Sequence, residues 1–283
     1  MDSVNGRISQ YLDEEGIRLR SDSEIIKILG EKYPVYEKLE NEKNRNNDTR
    51  LLLNFYEFLA QPVPSLNIPI YDLLRSPFRG TIEFYLENAA NRIRTSDTVL
   101  SVGCNTGLYE TFLAKLARKM IYLDLSKDQL AVARERTKRH GLENTEFKIA
   151  DMNNTYIPSD SIDVLFCVDA LKEMTERDNH PFDNPFLGER IKEFRRVLRK
   201  DSKDQNGRLI IGVTIYPVST EKSFSISAGV NRGIDIYLNE EAKKLKQKIE
   251  KNGFSGGEIH EKIGRTKDLL GFASFLFDLQ VHD

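Results

Sequence analysis

The sequence predicts an α/β fold: a mostly parallel sheet flanked by helices, with a helical extension at the N-terminus. Three observations carry this reading. From residue 99 onward, short apolar runs alternate with amphipathic stretches, the pattern of βαβ units. The first run, "VLSVGCNTGLYETFLAK" (99–115), leaves a strand through a turn of small residues and enters a helix. Residues 1 to about 60, by contrast, are charged and helical in period, without a strand signal.

Taken in order, "EIIKILGEKY" has an apolar stripe of Ile25, Ile26, Ile28 and Leu29, and Asp22 or Ser23 is placed to cap its helix. "YPVYEKLENEKNRNNDTR" is polar, with a turn or exposed helix end expected near Asn44 to Asp48, and "LLLNFYEFLA" reads as a short buried helix. "QPVPSLNIPIYDLLRSPFRG" holds four of the chain's nine prolines and is expected to be a rigid connector rather than a regular element. "TIEFYLENAANRI" resumes a helix. Beyond it the expected strands are Val99–Val102, Met120–Leu123, Thr145–Ala150, Ser161–Val168 and "GRLIIGVTI". Helices intervene at Leu108–Lys119, at a segment opened by a capping box of Ser126 and Gln129 and closed by Gly141, and at "FLGERIKEFRRVLRK". A helix through "LNEEAKKLKQKIEKNGF", closed by Gly253, precedes an antiparallel pair near Ser255–Ile263 and Gly271–Val281. This divides the chain into a helical extension or lid over residues 1–78 and an α/β domain over 79–283.

The 283 residues are 39% apolar and 30% charged, the balance of a water-soluble globular chain. A formal charge of −2 offers no net basic field to a nucleic acid. Acids stand with the basic run Lys192, Arg195, Arg196, Arg199 and Lys200, Glu189 just before it and Glu193 within it, so it reads as a solvated helix face. Cys104 and Cys167 are too few for a disulfide framework, and no signal-peptide or membrane-spanning pattern appears. A cytoplasmic protein is expected, acting without a membrane; its oligomeric state is not legible.

A strand, glycine turn and helix direct backbone N–H groups and the positive helix end at a ligand. A dinucleotide fingerprint would need glycines at Gly103 and then two and five residues on, where Asn105 and Leu108 stand. Spacing at every second residue fits: Gly103, Asn105, Gly107. Asparagine tolerates the left-handed backbone better than bulkier residues, so Asn105 leaves the loop usable. Asp124 ends the second strand 21 positions after Gly103, near the separation at which a carboxylate accepts from ribose hydroxyls. Asp151 ends the third strand, beside it on the same sheet edge.

With those residues in order, the chain resembles the class I S-adenosylmethionine-dependent methyltransferases, whose domain is a Rossmann-like, seven-stranded sheet. "VLSVGCNTG", "IYLDLSKDQLAVAR", "IADMNNTYIPSDSIDVLFCVDAL" and "IKEFRRVLRK…GRLIIGVTI" match the family's glycine loop, ribose loop, adenine loop with fourth strand, and the following helix and strand, over about Ile93 to Ile215. The resemblance implies S-adenosylmethionine as cofactor. It places Gly103 and Gly107 on the methionine portion, Asp124 on the ribose, and Asp151 with Met152 on the adenine. Ser101, Cys104, Asn105, Leu125 and Val168 are the further candidates at the cofactor. Ser101 stands where the family often has an acid, so a charged contact to the cofactor's ammonium is missing there or comes from elsewhere. Arg79 is a candidate for the methionine carboxylate, or alternatively a surface ion-pair partner.

For catalysis the candidates are Asp169 at the end of the fourth strand, Glu173 just after it, and His180 in the loop bordering the acceptor side. No metal is expected, because the acid–asparagine pair that metal-dependent relatives carry after the fifth strand is absent from "VTIYPVS". The reading is a methyltransferase acting on a small-molecule acceptor, with the N-terminal helices and the segment from Pro217 to Asp235 as a lid. The alternatives are an RNA or protein methyltransferase, or a non-catalytic S-adenosylmethionine-binding subunit.

Overall fold

A computed structural model describes residues 3–45, 48–171, 187–200, 206–215, 242–265 and 271–281. The N-terminal part contains α1 (Val4–Glu14), α2 (Asp22–Leu29), α3 (Tyr33–Arg45), α4 (Thr49–Ala60), α5 (Ile70–Arg75) and α6 (Arg79–Ala90). Then follow β1 (Thr98–Val102), α7 (Leu108–Ala114), β2 (Lys119–Asp124), α8 (Lys127–Arg139), β3 (Thr145–Ile149), β4 (Val164–Val168), α9 (Leu187–Val197) and β5 (Arg208–Ile215). A helix over residues 242–250 (α10) leads to β6 (Phe254–Arg265) and β7 (Gly271–Val281). Among the described residues no helix is long and apolar enough to cross a membrane.

The seven strands form one sheet in the order β3-β2-β1-β4-β5-β7-β6. The first five are parallel, and β7 runs antiparallel to both β5 and β6. Order reverses between β1 and β4, both of which start next to one another in the middle of the sheet. A crevice therefore opens at their carboxyl ends, where open α/β sheets bind ligands. β1 and β4 are buried along their whole length, as strands covered on both faces must be.

Alternate residues of each central strand feed opposite cores. Leu100, Val102, Leu165 and Cys167 pack with α9 and α10 through Ile191, Phe194, Leu245 and Ile249. Val99, Val164, Phe166 and Val168 pack with α1, α6, α7 and α8 through Leu12, Ile82, Phe112 and Leu130. A third cluster, built on Ile25, Phe55, Leu59, Ile70 and Leu73, joins α2, α4 and α5 into a cap. Thus α1 belongs to the sheet's own core, while α2 to α5 hold a core of their own.

Several expectations need correction. The cap of α2 is Ser21, not Asp22 or Ser23, and it forms a reciprocal capping box with Glu24. The proline-rich connector contains regular structure. Pro69 precedes α5 and Pro77 opens a 3-10 turn, both places where a missing N–H costs nothing, so the prolines set boundaries instead of preventing helices. α7 stops at Ala114 rather than Lys119 because the Asn144 side chain takes the carbonyls of Ala114 and Ala117 (2.8 and 2.9 Å). At α8, Ser126 caps as expected, but the Gln129 amide reaches across to the carbonyl of Tyr56 in α4 (2.9 Å) instead of back to its own cap. The two cysteines are free and buried; Cys104 follows β1 and Cys167 lies in the neighbouring β4, yet the side chains join opposite cores.

Candidate functional site

The glycine loop hangs between β1 and α7 in a conformation that three consecutive alternate residues hold by positive φ: Gly103 (70°), Asn105 (48°) and Gly107 (71°). A Cβ on Gly103 would lie 2.3 Å from the Cβ of Ala170, so only glycine fits against the end of β4. Asn105 takes its left-handed turn with its own amide bonded to the Gly103 carbonyl (3.2 Å). It therefore does the glycine's conformational work.

Asp124, nearly buried at the end of β2, accepts from the backbone N–H groups of Asn105 and Ser126, each at 2.9 Å. Burial raises its carboxyl above the usual range against the pull of those amides. Asp151 is likewise fixed by the N–H of Asn153 (2.7 Å). Both acids line one cleft at the sheet edge, with Gly103, Asn105, Leu125 and Met152. Leu52 and Tyr56 of α4 lie over the same cleft. A cleft with two convergent carboxylates and an apolar wall is the result.

A second, smaller cavity adjoins it across Gly103 and Asn105. It is lined by Cys104, Val168, Tyr71, Arg75, Tyr109 and Glu110 among others. Arg75 donates to the Tyr109 hydroxyl (2.7 Å) and to Asp169 (3.0 Å). Asp169, left-handed at φ 55°, also accepts from the backbone N–H and hydroxyl of Thr214. Burial pushes the Tyr109 phenol up to about 12 and raises Tyr71 further, so both are neutral hydrogen-bonding groups here and not bases.

Arg79 does not reach either cavity. Its guanidinium is spent on Asp13, Glu83, the carbonyls of Ser9 and Ile17, and the Ser9 hydroxyl. Arg75, one turn earlier, is the arginine at the site. Ser101 is buried and donates to Glu110 at 2.6 Å, so it meets an acid rather than solvent. Glu173, His180 and the segment from Pro217 to Asp235 lie outside the described residues. Sequence reasoning does not single out Arg75, Tyr109, Glu110, Leu52 or Tyr56. One signal for Glu110 is present all the same: an acid in the first turn of α7, nine positions after the serine that stands in an acid's place.

Residues 99–201 match the family model described as "Methyltransferase domain". Within that segment the chain is similar to methyltransferase domains. The curated methyltransferase GfsG of Streptomyces halstedii is 28% identical to it over 124 residues, 43% of this chain and 41% of that protein. The chain thus spans about two fifths of that relative's length. Among solved structures, the [4+2]-cyclase SpnF superposes with a TM-score of 0.51 at 16% identity, covering 70% of this chain and 81% of the other. Phosphoethanolamine N-methyltransferase 2 of Haemonchus contortus, in complex with S-adenosylhomocysteine, gives 0.50 at 12%, covering 71% and 52%. These two likenesses concern the fold, and a cyclase beside a methyltransferase shows that the architecture alone does not name a reaction.

S-adenosylmethionine is the cofactor that this similarity implies, and the residues present fit it. The cradle at Gly103 admits no Cβ, Asp124 and Asp151 converge on one cleft, and the adjoining cavity carries both a cation and a carboxylate. The latter pair suits a zwitterionic amino-acid tail.

Proposed function

We propose that the chain is an S-adenosylmethionine-dependent methyltransferase with a small-molecule acceptor. The observation that carries this is the pair of cavities meeting at Gly103 and Asn105: one has the two acids expected to face ribose and adenine, the other the polar groups for a methionine tail. The small size of the acceptor is supported by the cap, since Leu52, Tyr56, Tyr71 and Arg75 close over both cavities from the N-terminal side.

When bound, the cofactor supplies an electrophilic methyl group on a sulfonium. The protein's share is then alignment and exclusion of water. Asp124 is the acceptor for the ribose hydroxyls, held in place by two loop amides. Asp151 and Met152 border the adenine end, and Gly103 lets the backbone pass closely beneath the ligand. Arg75, rather than Arg79, is the cation for the methionine carboxylate. Asp169 is a positioning residue on this reading: it orients Arg75 while Thr214 fixes its own oxygens.

Calorimetric titration with S-adenosylhomocysteine tests the reading, in the unaltered chain and in Asp124→Ala. The expected result is micromolar binding that weakens roughly 30-fold or more in the variant, the loss of charge-assisted hydrogen bonds to ribose. An unaltered chain that fails to bind would overturn it. Transfer of labelled methyl groups to a panel of small acceptors, set against RNA and protein substrates, then decides the acceptor class.

A further inference from the structure

We propose that Glu110 replaces the missing acid at position 101 and receives the α-ammonium of the cofactor; the inference rests on the cofactor reading above. Ser101 projects from β1 on the side of α7, and its hydroxyl donates to Glu110 Oε1 at 2.6 Å. The Glu110 carboxylate therefore stands just beyond the short Ser101 side chain, in the space that a longer acid at 101 would fill with its own. A serine at 101 and a glutamate one helical turn into α7 are two halves of one substitution: the first makes room, and the second brings the charge.

The second oxygen is what points to a ligand. Glu110 is 2% exposed, and its Oε2 has no hydrogen-bond partner. A buried carboxylate with an unspent oxygen is costly, and such a group calls for a partner absent from the bare protein. Glu110 lines the cavity next to Gly103 that also contains Arg75. An ammonium donates three N–H bonds and carries the complementary charge. Burial pushes the Glu110 carboxyl up to about 7, against the Ser101 hydroxyl, its own backbone amide and Arg136; Asp124 adds to the rise. A cation arriving in the cavity relieves this penalty. Arg75 and Glu110 then match the two charged ends of an amino-acid tail.

The test compares two ligands that share the adenosine half: S-adenosylhomocysteine, with the amino-acid tail, and 5′-methylthioadenosine, without it. Calorimetry on Glu110→Gln is expected to show roughly 10- to 100-fold weaker S-adenosylhomocysteine binding, the range of one charge-assisted hydrogen bond. Affinity for 5′-methylthioadenosine should be unchanged, which also certifies a folded adenosine pocket. The double variant Ser101→Asp/Glu110→Ser, which returns the acid to β1, is expected to recover most of the lost affinity. Undiminished S-adenosylhomocysteine binding by Glu110→Gln would overturn the assignment while leaving the cofactor reading intact. Equal loss of both ligands would overturn it as well, since the residue would then be supporting the pocket as a whole. If the unaltered chain binds neither ligand, the cofactor reading fails first and this inference falls with it.

Discussion

Glu110 shows how a single side chain can be expensive to the fold and useful to the site. Its carboxyl is shifted from the usual 4.5 to about 7 by burial, so the folded chain holds a proton that the unfolded chain releases. The stability linked to this group is fully present below 4.5 and is lost as pH rises through about 7, at a cost of about 3 kcal/mol once ionisation is complete. Glutamine at this position has nothing to ionise. Glu110→Gln is therefore expected to be more resistant to urea than the unaltered chain at pH 8, with the gap closing towards pH 4.5. A gap independent of pH would mean that the carboxylate already has its compensation in the bare protein. The same variant should bind S-adenosylhomocysteine more weakly, so stability and binding move in opposite directions, which a purely structural glutamate would not produce. Asn105 is the converse case: its side chain resembles a defect in the glycine pattern, but its φ of 48° shows that it adopts the backbone a glycine would.

At the scale of elements, one buried arginine ties the glycine loop to the N-terminal helices. Arg136 of α8 donates to Glu15 beyond α1 (2.7 Å), to the Thr106 carbonyl in the loop, and to Asp72 of α5. Thr106 closes the circuit by donating to Asp72 at 2.6 Å. Arg136 is 1% and Asp72 0% exposed, so removing the cation leaves Asp72 buried with the Thr106 hydroxyl alone, while Glu15 keeps Arg139 (3.0 Å) and His140 (2.8 Å). Arg136→Met is expected to cost about 3–5 kcal/mol in urea unfolding, and adding Asp72→Asn and Glu15→Gln should return part of it. A loss below about 1 kcal/mol would mean that the network carries little of the fold's stability.

This circuit also explains what the sequence could and could not reveal. The βαβ rhythm, the antiparallel tail and the acids at Asp124 and Asp151 are local patterns, and each is legible from spacing. Arg136 and Asp72 lie 64 positions apart, and Gln129 meets Tyr56 73 positions away. Such pairs leave no periodic trace: local pattern points Gln129 back to its own cap and Arg79 to the site, and tertiary partners, the Tyr56 carbonyl for one and Asp13, Ser9 and Ile17 for the other, override both. Arg79 and Arg75 are adjacent turns of one helical run. Only the packing of α6 on α1 decides which of them faces the cavity.

For the molecule as a whole, the cap and the sheet are separate cores joined at the site. The cluster around Phe55 and Leu59 is distinct from the two that cover the sheet, yet α4 sends Leu52 and Tyr56 over the cleft that Asp124 and Asp151 line from below. A ligand filling that cleft touches both bodies at once. Binding to the folded state stabilises whatever must open to release it, by about 2.7 kcal/mol at 100 times Kd. If α4 is part of the enclosure, the stabilisation reaches the cap as well as the glycine loop. Hydrogen exchange with saturating S-adenosylhomocysteine should then slow the amides of residues 52–59 together with those of 103–107. Where opening limits exchange, the expected slowing is up to about 100-fold in both segments. Protection confined to 103–107 would mean that the cap lifts without releasing the ligand. In that case α4 is a wall against which the adenosine rests, and the acceptor reaches the methyl group by some route other than opening of the cap.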